Sequence, residues 1–423
     1  MKDCFYIRGG RVLDPARGQD AVGDLCIQKG VIVPCPARVP PGARVIDAAG
    51  CGGVPGFIDL HVHLREPGNE AAETVATGTR AAARGGFTTI VAMPNTRPAL
   101  DSPAEIRALA KRAAGGFARV LPAPCLTHGR EGLELADIDA LATAGAVALT
   151  DDGATVADDA LMAEAMRRAA RANLPVCDHA LDPVLAGKGV MHEGEWSRKW
   201  GLPGIPSEAE SRTVARDIRL AEAAGCALHI QHVSAAESVQ LIREAVRRGV
   251  RVTAEATPHH LALTDADVRP EDARFKMNPP LRGEADRIVL LEAVADGTLT
   301  TLATDHAPHT AAAKAKGFVE APFGVIGLET AIGVTYAILV KSGRISLADW
   351  VRRWTTGPAR VLGRPAPSLA VGAPADVAVL NLTDEWTVRA DDFVSLSRNT
   401  PFEGWRLTGR AMATFCGGKQ TWG

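Results

Sequence analysis

Between about residues 53 and 369 the chain repeats one pattern: a short apolar run of strand length, then a stretch with helical period. Eight such runs are legible, at 56–60, 88–93, 119–122, 146–150, 175–178, 227–231, 250–255 and 300–304. The segments 158–173, 207–225 and 235–249 between them place apolar residues at i, i+3 and i+4, as an amphipathic helix does. Short strands that are apolar throughout, each followed by a helix, belong to a parallel sheet covered on both faces. Eight of them predict a closed (β/α)8 TIM barrel. An open doubly wound sheet is the alternative, and the absence of a G-x-G-x-x-G turn before the first helix argues against its dinucleotide-binding form.

Both chain ends read differently. Residues 4–7, 11–13, 25–27 and 31–32 are short strands separated by Gly9-Gly10 and Lys29-Gly30, and 375–380 and 411–415 resemble them. Neither end is long enough to bury a core alone, so 1–52 and 370–423 are expected to form one small β-sandwich domain beside a 53–369 barrel. A formal net charge of −2 in 423 residues, with no basic cluster, offers no partner surface to nucleic acid or anionic membrane. No apolar h-region opens the chain and no run reaches the ~18 residues of a membrane span. The eight cysteines are scattered, with neither C-x-x-C nor zinc-finger spacing. A reduced, cytoplasmic protein is expected.

The polar residues that follow the strands carry the chemistry. His61-Val62-His63 ends the first, and residues i and i+2 of an extended segment share a face. Asp151-Asp152 follows the fourth strand, His179 the fifth, His232 the sixth and Asp305 the eighth. Imidazoles and carboxylates thus gather at the C-terminal ends of five strands, the rim where barrel enzymes keep their catalytic groups. A lone histidine at a strand end is usually a hydrogen-bonded structural residue; five strand ends together predict a metal site. Nitrogen and oxygen ligands without thiolate suit catalytic zinc, and manganese, cobalt or iron accept the same set. His128, His192 and His229 are read as surface or supporting residues, His229 facing away from His232, and His259-His260 as structural or supporting.

Two adjacent metals need a bridging ligand. A carboxylated lysine is one device, but no lysine lies between Lys111 and Lys188. A carboxylate from Asp151 or Asp152 is the other, and spacing does not choose between them.

His61-Val62-His63-Leu64-Arg65-Glu66-Pro67-Gly68 and Ala303-Thr304-Asp305-His306-Ala307-Pro308-His309 resemble the two signatures of dihydroorotases. Met93-Pro94-Asn95-Thr96, His229-Ile230-Gln231-His232-Val233-Ser234, Met277-Asn278-Pro279-Pro280-Leu281-Arg282 and Ser397-Arg398-Asn399-Thr400-Pro401-Phe402 are similar to further blocks of that family, in its order. The resemblance spans nearly the whole chain and is nearest to the bacterial long-chain (type I) form. It implies two zinc ions, one held by His61, His63 and Asp305, the other by His179 and His232, with Asp152 as the bridge. It assigns Arg65, Asn95 and His309 to the substrate carboxylate, and Asn278 with the backbone near Phe323-Gly324 to the ring; His63 borders the substrate as well.

The reaction implied is the reversible closure of N-carbamoyl-L-aspartate to L-dihydroorotate and water, a step of pyrimidine biosynthesis. Asp305 would act as general base and then general acid. Arg65, two residues beyond a ligand, can meet a carboxylate with both arms of its fork. One departure stands out: the family has an acidic residue two positions after the fifth-strand histidine, where this chain has Leu181. The Pro/Gly-containing stretch 310–324 is read as a lid over the mouth. A homodimer and a complex with aspartate transcarbamoylase are the protein partners the resemblance admits. Two other readings compete: a hydantoinase or allantoinase, disfavoured by the missing lysine and by Arg65, Asn95, Asn278 and His309, and an inactive scaffold subunit, disfavoured by six filled ligand positions.

Overall fold

Strands of the computed structural model, which describes residues 4–423, run in chain order as β1 (Cys4–Asp14), β2 (Gln19–Gln28), β3 (Val31–Val33), β4 (Arg44–Asp47), β5 (Cys51–Pro55), β6 (Phe57–Val62), β7 (Phe87–Ala92) and β8 (Arg119–Pro122). There follow β9 (Val176–Asp178), β10 (Met191–His192), β11 (Gly204–Ile205), β12 (Leu228–Ile230), β13 (Val252–Ala256), β14 (Thr301–Leu302), β15 (Val377–Thr387), β16 (Arg406–Cys416) and β17 (Lys419–Trp422). The fold is α/β.

Both chain ends meet in one eight-stranded sheet, ordered β17-β16-β15-β5-β1-β2-β3, with β4 parallel to β1. The runs expected at 4–7 and 11–13 are a single strand. Its register with β2 shifts between Ile7 and Gly10, and Gly9 takes φ +71°, the left-handed turn of a bulge that glycine adopts without strain. Inward residues from β1, β2, β3, β15 and β16 share one core, in which the Phe5 and Phe415 rings meet edge to face at 4.9 Å. The antiparallel β5–β15 pair joins the two ends of the chain, so the expected boundary at 52–53 falls inside β5.

The middle of the chain builds parallel sheets β6-β7-β8 and β14-β13-β12-β9. Helices return the chain between strands as expected, among them Asp159–Arg171, Glu208–Ala224 and Ala236–Arg247. The Asp158 side chain caps the first by accepting from the Leu161 amide, and Gly225 ends the second in a left-handed turn.

One expected strand is absent. Residues 146–150 make a single parallel bridge, Leu149 to Val176, instead of a ladder. Their amides reach the carbonyls of Pro122, Pro124 and Pro175, and prolines have no N–H to give back. The segment nevertheless lies between β8 and β9. On the far side Val62 bridges His306, and the His63 amide donates to the His306 carbonyl at 2.9 Å. Asp59 reinforces that seam: it accepts from the Thr304 amide at 3.1 Å, the Thr304 hydroxyl at 2.5 Å and the His61 amide at 3.1 Å. Backbone contact therefore runs from β6 around through each strand and back to β6. Away from the histidines, the buried Phe57 ring lies within 6.1 Å of the Phe87, Trp350 and Trp354 rings, and Phe87 meets Trp354 at 5.2 Å, which holds β6 and β7 against the helix Leu347–Trp354.

Candidate metal centre and substrate cavity

Each strand end delivers its polar residue to one buried cluster. His61 and His63 lie on the same face at the end of β6. Their Nε2 atoms stand 3.2 and 3.4 Å from the two oxygens of Asp152, and 3.4 and 3.1 Å from Asp305 Oδ1. His179 Nδ1 and His232 Nε2 face each other at 2.8 Å, each 3.7 Å from Asp152 Oδ1. Two triads result, His61–His63–Asp152 and Asp152–His179–His232, which share the aspartate and are buried throughout.

Asp151 and Asp152 are distinguished by what they touch. Asp151 turns away and accepts from the Leu126 amide at 2.8 Å, the Thr127 amide at 3.1 Å and the Thr127 hydroxyl. It anchors the loop after β8 and takes no part in the cluster. Asp152 Oδ1 and His61 Nε2 are buried with no hydrogen-bond partner. Buried polar atoms are rarely left so, and a cation between them satisfies both. Burial opposes a proton on His61, but Asp152 and Asp305 outweigh it and hold the imidazole well above its ordinary value: the cluster is short of positive charge. Burial would also raise Asp305, yet His61 and His63 keep it well below the usual carboxylate range. Burial, and then His232, take His179 down to about 3, so the ring stays neutral and keeps one nitrogen lone pair for a cation. The donor set fits a divalent cation.

Supporting contacts orient the rings. Glu255, at the end of β13, accepts from His61 Nδ1 and His229 Nε2, both at 3.0 Å, and from the His232 amide at 3.2 Å. Fixing one nitrogen of an imidazole presents the other toward the cluster. His229, held by Thr253 and Glu255, takes no part in the two triads. His260 is held by Thr257 and the Pro279 carbonyl, and His128 is exposed beside Asp101. Leu181, like Phe323, packs against the small core of Ala186, Ile205 and Ala209; the next residue, Asp182, caps the helix Pro183–Ala186.

Above the cluster lies a cavity of ≈ 240 Å³. Its walls include His63, Arg65, Asn95, Asn278, His309, Phe323 and Gly324, every substrate residue expected from the sequence. Arg65 Nε donates to the Pro308 carbonyl at 3.0 Å, and its Nη2 lies 3.4 Å from His309 Nε2. His309 Nε2 also meets the Phe323 carbonyl at 2.7 Å, and Asn278 Nδ2 meets His179 Nε2 at 3.1 Å. Asn399, from the C-terminal part of the chain, donates to the Ala307 and Gly324 carbonyls and accepts the His309 amide, which ties the two walls together.

Four non-glycine residues of the cavity, Arg65, Arg130, His232 and Asp305, have positive φ. Such strain gathers where function needs a side chain aimed against backbone preference. Sequence reasoning missed Arg130, Glu255 and Asn399. Glu255 had a signal, a carboxylate at the C-terminal end of an expected barrel strand; Asn399 lay in a recognised block; Arg130 had none.

A protein from Anaeromyxobacter dehalogenans (strain 2CP-1 / ATCC BAA-258) named dihydroorotase is 51% identical over 424 residues, covering 99% of this chain and 98% of its own. The chain belongs to the dihydroorotase family. A second dihydroorotase, from Geobacillus sp. (strain WCH70), is 50% identical over 380 residues, 90% of this chain and 89% of that one. The family model described as dihydro-orotase-like matches residues 53–238. Among solved structures, the L-hydantoinase (dihydropyrimidinase) from Arthrobacter aurescens superposes with a TM-score of 0.88 at 25% identity, covering 99% of this chain and 96% of its own. Identity to the named dihydroorotases is about twice that to the hydantoinase, so the hydantoinase likeness does not displace the family assignment. This dihydroorotase family member is a cyclic amidohydrolase, a class that uses a divalent metal.

Proposed function

We propose that the protein interconverts N-carbamoyl-L-aspartate and L-dihydroorotate in the cytoplasm, with two zinc ions in the buried cluster. The observation that carries this reading is the pair of triads sharing Asp152 beneath a cavity lined by Arg65, Asn95 and His309. In this reading His61, His63 and Asp305 would hold one ion and His179 and His232 the other, with Asp152 available to both groups. When bound, such ions would supply the chemistry of a nucleophile at neutral pH, lowering the pKa of water toward ~7.

The protein's own groups do the rest. Arg65, Asn95 and His309 seat the carboxylate, while Asn278 and the Phe323–Gly324 backbone hold the ring. Asp305, 3.1 Å from His63 Nε2, takes a proton from the attacking water and passes it to the leaving ring nitrogen, then reverses for closure. We read the parallel strands and their bridges as one closed (β/α)8 barrel over roughly 56–369. The sheet of both chain ends, with its Phe5–Phe415 contact, is read as a β-sandwich that includes β5.

The test is turnover by purified protein, stripped by chelator and reloaded with zinc, measured with dihydroorotate, carbamoyl-aspartate, hydantoin and allantoin. Zinc-restored turnover of the first two is expected. Preference for hydantoin or allantoin, or two zinc ions bound with no turnover, would overturn the reading.

A further inference from the structure

Two guanidinium groups face the same small cavity, and among the described residues neither forms an ion pair with a carboxylate. Arg65 is 9% exposed and spends its hydrogen bonds on Pro308 and His309. Arg130 arrives from the loop after β8 with φ +61°. Its Nε and Nη2 donate to the Asp151 and Asp152 carbonyls at 3.4 and 2.7 Å, leaving Nη1 without a hydrogen bond to protein.

Gly153 makes room for it. With φ +77° that residue favours glycine, and a Cβ there would stand 3.2 Å from Arg130 Nη2 and 3.9 Å from Asn95 Nδ2. Arg130 and Asn95 therefore converge on one corner. Asn95 Oδ1 is already engaged by His63 Nδ1 at 2.8 Å, so its amide nitrogen is the end left for a ligand. A cation drawn into a partly buried site with no counter-ion in contact is completed by an anion from solution, since desolvation of the charge is otherwise uncompensated. The Asp152 carbonyl holds the guanidinium by one edge, which leaves the fork's remaining donors for a carboxylate.

We propose that Arg130 determines specificity here: together with Arg65 it clasps the carboxylate of the substrate and so selects acidic cyclic amides over neutral ones. The inference rests on the dihydroorotase reading above and extends it to a residue outside the motifs that carried it. A rival role is purely local, a tie that steadies the Asp151–Asp152 backbone and acts through Asp152 alone.

Steady-state kinetics on metal-loaded wild type, R130Q and R130K, with metal content measured for each, separate the two. Loss of one charge-assisted contact is expected to raise KM for dihydroorotate and for carbamoyl-aspartate about ten-fold or more in R130Q. Turnover number should stay within about three-fold, as for an interaction made equally in ground and transition states. R130K, which keeps the charge, should recover part of the loss. Orotate binding by calorimetry, which needs no turnover, should weaken in parallel, whereas the neutral methyl ester of orotate should bind wild type and R130Q alike. Unchanged KM with a lower kcat, loss of metal, or equal weakening of acid and ester would overturn the proposal in favour of the local tie. Wild type that binds orotate through Arg130 yet turns over no dihydroorotate would overturn the proposed function and leave the carboxylate clasp standing.

Discussion

A carboxylate bridges two cations only if its neighbours leave both oxygens free, and the two consecutive aspartates divide that work. Asp151 absorbs the amides of the Leu126–Thr127 turn, while Asp152 is left facing four imidazoles. Glu255 performs the matching task for the rings by taking the outward nitrogens of His61 and His229. Replacing it, as Glu255→Gln, should lower affinity for a divalent metal by about 10–100-fold, because ring orientation and basicity are lost while the ligands remain. Competition with a chromogenic chelator measures this; unchanged affinity would show that Glu255 does not orient His61.

A second residue-scale outcome concerns pH. Burial, and then Arg282, depress His192 to about 4, whereas in an unfolded chain it titrates near ~6.5. Between those values the unfolded state binds more protons, so stability falls as pH drops through that window. Denaturant unfolding of His192→Gln between pH 6.5 and 4 should show a smaller loss than wild type, and equal losses would refute the assignment. The residues of the buried cluster were legible because metal chemistry looks for a few residue types at strand ends. The choice between Asp151 and Asp152 was not: it turns on which carboxylate a distant turn claims.

At the scale of elements, alternating apolar runs and helical stretches located seven of the eight strands, because burial on both faces leaves a strong compositional trace. The run 146–150 carried the same trace but sits between proline carbonyls, so its ladder is reduced to one bridge. The sequence reads the stretch 310–324 as a lid. Lys314 pins it with hydrogen bonds to the Ala273, Lys276 and Pro322 carbonyls at 2.9, 3.1 and 2.9 Å, and Lys276 in turn reaches Val319 and Ala321. Lys314→Ala strips donors from three carbonyls, at a cost of about 1–3 kcal/mol for each one left buried and unmet. Cleavage by chymotrypsin near Phe318 and Phe323 should accelerate, and KM for dihydroorotate should rise, since the same stretch carries Phe323 and Gly324. Resistance equal to wild type would show that the lysine is not what holds the loop.

Over the whole molecule, the chain ends close on themselves and also reach the site. The sheet of both termini has its own core around Phe5 and Phe415, while Asn399, from the same C-terminal part, clamps the walls of the cavity. Phe415→Ala should destabilise the protein by about 3–5 kcal/mol, as removal of a fully buried aromatic ring does. Urea denaturation would measure it, and the folded fraction should keep wild-type KM because the ring lies outside the cavity. A destabilisation below ~1 kcal/mol would mean that this core relaxes around the loss.

Residue chemistry and period were enough to name the histidines and carboxylates of the buried cluster, place them at one rim and pair the two termini, for those properties are local and are written in side-chain type and spacing. Arg130 beside Asn95, the division of labour between the paired aspartates, and the clamp from Asn399 depend on loops that meet only after the chain has closed. Contacts between residues 21 to 92 positions apart, made by irregular segments, leave no periodic mark, so three-dimensional packing alone selects them.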